Sequence, residues 1–171
     1  MQLMGQSLNL PVLFLLGFFV LFMVSAIRVV NSEERGVILR LGRVIGLKGP
    51  GLILIIPFID RMHRVGVSVV NLEIPSQEVC TKDGVAVKVN AHISFRVIDA
   101  VTAIVQMEDY HLATHTLAQT VLRKVVSQSD RYDLLSHRAD IERKIHETLK
   151  ETSELWGIKM LSVELKHVEL I

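Results

Sequence analysis

The chain has 171 residues, 19 Lys and Arg against 18 Asp and Glu, and a single cysteine. A net charge of +1 with no basic stripe interleaved with aromatics argues against nucleic-acid binding. One thiol, Cys80, makes neither an internal disulfide nor a thiolate metal set, which fits a reducing cytoplasmic compartment.

Charge is absent from the opening of the chain. Met1 to Ile27 contains no Lys, Arg, Asp, Glu or His, and Arg28 then begins an ordinary charged sequence. Leu10 to Ile27 is apolar or small throughout and, extended by Leu8 and Asn9, is long enough for the roughly 30 Å hydrocarbon core of a bilayer. Backbone groups in lipid must be satisfied internally, so residues 8–27 are expected to form a transmembrane helix, with Pro11 near its first turn. Val24-Ser25-Ala26 resembles a signal-peptide cleavage site, but no Lys or Arg precedes the apolar core. Arg28, Arg35, Arg40, Arg43 and Lys48 all follow it, which predicts a single pass through the cell membrane with the main domain facing the cytoplasm. Residues 28–171 then carry all 37 charged side chains and have the length of one domain.

Past the turn-forming cluster Asn31 to Gly36, Val37-Ile38-Leu39-Arg40-Leu41 reads as a strand ended by Gly42. Gly49 to Ile59 is an apolar run bracketed by Gly, Pro50 and Pro57, too short to span a bilayer. It fits either a buried strand or a segment dipping into the near leaflet. Arg61 to Val70 and Val69 to Val79 are candidate strands. Val85 to Val97 alternates most clearly, with Val85, Val87, Val89, Ala91, Ile93, Phe95 and Val97 on one face and Lys88, Asn90, His92, Ser94 and Arg96 on the other. Asp83-Gly84 before it suits a tight hairpin turn.

From Asp99 the pattern becomes helical. Asp109 can cap Tyr110 to Val126, where Ala113, Leu117, Val121 and Val125 make an apolar stripe. A second helix is expected from about Ala139 to Trp156, with Ile141, Ile145 and Leu149 on one side and Gly157 as its stop. Ile158 to Val168 alternates again and closes the chain as a strand. Strands, then helices, then a strand predict an α+β domain with a mostly antiparallel sheet and helices on one face.

Catalytic patterns are sparse. His111 and His115 share a helix face at ligand spacing, but Leu112 stands where a zinc peptidase needs Glu, and no third ligand is placed by the sequence. A membrane-tethered metal-dependent hydrolase using this pair is the alternative reading. No Gly-x-Ser-x-Gly occurs, and the glycines at 42, 46, 49 and 51 are not followed by a Lys-Ser/Thr pair.

Several blocks in order, NSEERGVILRLGRVIGLKGPGLILIIPFIDRMHRV, KDGVAVKVNAHISFRVID, EDYHLATHTLAQTVLRKVV and WGIKMLSVELKHVEL, are similar to the stomatin/prohibitin/flotillin/HflK (SPFH, band 7) superfamily, especially prokaryotic stomatin-like proteins. The resemblance covers nearly all of residues 28–171. It implies a non-enzymatic membrane-anchored scaffold, without cofactor, that forms homo-oligomers, organises microdomains and works alongside an NfeD-type membrane protease. It also implies that the 49–59 block meets the leaflet, making Leu52, Ile53, Leu54, Ile55, Ile56 and Phe58 the expected membrane contacts. Relatives usually continue into an Ala/Glu-rich coiled-coil helix, which is expected to be absent from these 171 residues.

Overall fold

A computed structural model describes the backbone of residues 4–171 and the side chains of residues 12–171. The chain divides into two units, Met1–Arg64 and Val65–Ile171. The boundary falls inside the stretch 28–171 that the sequence suggested as one domain.

The first unit begins with helix α1, Met4–Ala26, whose 23 residues include no acidic group in the first turn and no basic group in the last. The expected span 8–27 lies partly outside the residues with described side chains, and its last member, Ile27, already belongs to strand β1, Ile27–Val30. Among the described residues, no helix is long and apolar enough to cross a membrane. The described side chains of α1 cover only residues 12–26, about 22 Å of helix.

Four more strands follow: β2 (Glu34–Arg40), β3 (Arg43–Lys48), β4 (Gly51–Leu54) and β5 (Asp60–Gly66). β1 pairs antiparallel with β4, and β2 lies between β3 and β5. Val30, Ile38, Ile53 and Ile55 bury together with Met62 packed against them, so both small sheets share one apolar cluster. The β2–β3 hairpin turns through Leu41 (φ 50) and Gly42 (φ 81). Two successive positive φ values are what a tight hairpin matching strand twist requires.

The second unit is a three-stranded antiparallel sheet in the order β6-β7-β8, formed by Val70–Cys80, Ala86–Val97 and Ile158–Leu170. Its central strand keeps the expected alternation: Val87, Val89, Ala91, Ile93, Phe95 and Val97 are buried, while Lys88 and Arg96 are exposed. The β6–β7 loop is longer than the two residues Asp83-Gly84 suggested. Cys80 pairs with Ala86, and Thr81 holds the five intervening residues by backbone and hydroxyl bonds to Val85. Arg61 to Val70, expected as one strand, is interrupted after Gly66, and β6 starts at Val70.

Four helices, α2 (Ala100–Gln106), α3 (Tyr110–Ser127), α4 (Arg131–Ser136) and α5 (Arg138–Glu154), fill the interval before β8. Asp109 caps α3 as the sequence suggested, accepting from the amides of His111 and Leu112 at 2.9 and 3.1 Å. Helices α3 and α5 pack on β6 and β8 respectively and on each other. Ala118, Leu122, Val125 and Val126 of α3 and Ile141, Ile145 and Leu149 of α5 are buried. Gly157 (φ 71) makes the return into β8, where an added Cβ would meet the Asp99 carbonyl oxygen at 2.6 Å. On β8 the Leu165 amide donates to Glu142 Oε1 of α5 at 2.8 Å.

Candidate membrane-contact site

The six expected contact residues separate into two buried and four exposed side chains. Ile53 and Ile55 point into the buried cluster and offer no side chain to a lipid surface. Leu52 and Leu54 face out at 78% and 72% exposure, and Ile56 is exposed as well. Phe58 is 99% exposed on a turn with φ 72.

The pairing of β1 with β4 adds Ile27, expected as the end of the span, and Val29, which the sequence analysis did not single out. Ile27 stands opposite Leu54 and Val29 opposite Leu52, and all four are exposed. Together they form an apolar face that starts one residue after the end of α1. The amide of Ile55 donates to the carbonyl of Ala26 at 2.9 Å, which ties the segment after β4 to the helix terminus. The signal available in sequence was the apolar, charged, apolar spacing of Ile27, Arg28 and Val29.

An ion pair shapes the turn that carries Phe58. Arg40, at the end of β2, donates from Nε and Nη2 to the two carboxylate oxygens of Asp60 at 2.7 and 3.0 Å, and the Ile56 amide donates to Asp60 Oδ2 at 2.9 Å. The Asp60 side chain is only 3% exposed. The Arg40 guanidinium, helped by the Ile56 amide and opposed by desolvation, lowers the Asp60 carboxyl to about 2. A carboxyl whose folded value lies below its unfolded one stabilises the fold fully above the ordinary value of 3.8 and loses that contribution as pH falls through about 2. Carboxyl carbon shifts followed by NMR should therefore show Asp60 titrating near pH 2, with the Ile56 amide resonance moving in step. A midpoint at the ordinary carboxylate value would mean that the clamp does not form.

His111 and His115 lie on α3. The His111 ring lies tilted by 31° against Tyr110, ring centroids 4.3 Å apart, and meets the Phe95 ring edge-on at 6.1 Å. Among the described residues no group of three or more His, Cys, Asp or Glu is placed to hold a metal ion. Cys80 is exposed.

Residues 28–170 match the SPFH domain / Band 7 family. The chain belongs to that family. Among its relatives are an uncharacterized protein of Archaeoglobus fulgidus, 47% identical over 88% of this chain and 61% of that protein, and a stomatin homolog of Pyrococcus horikoshii, 44% identical over 90% and 58%. Mouse stomatin-like protein 3 is 37% identical over 93% of this chain and 58% of its own length. This SPFH chain therefore stands close to the prokaryotic stomatin homologs and spans about three fifths of the length of these three relatives.

Proposed function

We propose that this SPFH chain is a non-enzymatic, membrane-anchored scaffold. The helix Met4–Ala26 passes once through the cell membrane, the remainder faces the cytoplasm, and the apolar face of Ile27, Val29, Leu52 and Leu54 rests on the near leaflet. The observation that carries this reading is the continuity of that exposed face with an uncharged helix end. Exposed apolar groups grouped in this way mark an interaction surface, and the neighbouring element here is one that lipid would accept.

Copies of the chain associate side by side. One anchor and one shallow contact per subunit then multiply, holding an annulus of lipid by avidity and bringing a membrane partner, such as an NfeD-type protease, within reach. The assembly half of this reading is tested by light scattering on the full chain in mild detergent and in lipid nanodiscs. A mass of several subunits is expected, and a monomer in both media would remove it.

A further inference from the structure

Among the described residues, only two that are not glycine adopt positive φ, Leu41 (φ 50) and Phe58 (φ 72). They are also the two most exposed large apolar side chains, at 84% and 99%. Bulky side chains avoid the left-handed region, and Asn would meet the geometry of the β2–β3 turn more readily than Leu. Strained backbone under an exposed apolar side chain points to use of that side chain. The two turns adjoin: the Leu41 amide donates to the Ile59 carbonyl at 3.5 Å, and the Arg40–Asp60 clamp joins the residue before one turn to the residue after the other.

Charge is distributed unevenly between the two units. Residues 1–64 hold seven cations (Arg28, Arg35, Arg40, Arg43, Lys48, Arg61, Arg64) against three acids (Glu33, Glu34, Asp60), a net +4. Residues 65–171 hold the other 12 cations and 15 acids, a net −3. Arg43 and Arg61 flank the two turns, are exposed, and have no carboxylate within 4.0 Å among the described residues.

We propose that Leu41 and Phe58 form a two-pronged tip that enters the headgroup layer of a bilayer containing anionic phospholipid, with Arg43 and Arg61 binding the lipid phosphates. The idea rests on the anchored reading above and adds to it a lipid class and the residues that recognise it. Apolar prongs alone would enter any fluid bilayer. Cations beside them make entry depend on surface charge, because a Lys or Arg near an anionic surface gains about fivefold in partitioning.

The test uses the full chain with Trp156→Phe, carrying either Phe58→Trp or Leu41→Trp, in vesicles of brominated phosphatidylcholine with or without phosphatidylglycerol. Two positions keep the test open if one variant fails to fold. The introduced indole should be quenched and blue-shifted in the anionic vesicles. Arg43→Gln or Arg61→Gln should each lower the docked-to-undocked ratio about fivefold there. Flotation of the same samples reports the anchor separately. Protein that floats while both indoles keep water-like, unquenched emission overturns the tip alone. Equal quenching with and without phosphatidylglycerol overturns the anionic preference, and protein that does not float overturns this proposal together with the anchor.

Discussion

Arg in place of both Leu15 and Phe18 is expected to move the protein from carbonate-washed membranes to the soluble fraction. Helix α1 has 23 residues, or about 34 Å at 1.5 Å per residue, and Leu15 is its midpoint. Leu15 and Phe18 are three residues apart, so two guanidinium groups would project from one side of the helix near the bilayer centre. Each costs about 2.5–3.5 kcal/mol there on insertion scales, together about 5–7 kcal/mol, a shift of more than a thousandfold. Snorkelling relieves such a charge best near a helix end, which is why the midpoint is chosen. Leu15→Ala with Phe18→Ala should stay with the membrane. Retention of the Arg variant after carbonate washing would contradict a spanning anchor.

Replacing Phe95 by Ala should cost about 3–5 kcal/mol of the second unit's stability, against the 5–15 kcal/mol typical of a whole domain. Phe95 is fully buried near the end of the central strand β7, paired with Val70 at the start of β6 and with Met160 on β8, so losing its ring leaves a cavity in the packed interior. Chemical denaturation of the detergent-solubilised chain, followed by Trp156 fluorescence, measures the loss. Lys88→Ala, on the open face of the same strand, should change stability by no more than about 0.5 kcal/mol. Similar effects of the two changes would mean that the inner and outer faces of β7 are wrongly assigned.

What could be read in advance was local. The alternation of β7, the Asp109 cap and the four-residue steps of α5 lie within a dozen or so residues each, and the periods of side-chain direction are enough to find them. The contact site was less legible because it depends on pairing. β1 is four residues long and meets a partner about 24 positions later, and a one-residue slip in that register would have buried Leu52 and Leu54 and exposed Ile53. The family resemblance points the whole apolar block at the leaflet, while the structure leaves Leu52, Leu54, Ile56 and Phe58 exposed and buries Ile53 and Ile55. The Arg40–Asp60 clamp joins residues 20 apart through a turn of unusual backbone, for which charge pattern alone gives no sign. Helix α4, at six residues, is too short for a period to show.

The bond from the Leu165 amide to Glu142 bears on what the open rim of the second unit's sheet can accept. β8 is a 13-residue outer strand, and such a rim invites another chain to zip onto its free amides and carbonyls. A glutamate from α5 already occupies one of those amides midway along, so a newcomer would have to evict a charged acceptor before its own ladder could continue. Fibrous growth along the rim is thereby disfavoured by a single side chain, and no extra element is needed to cover that edge at this point.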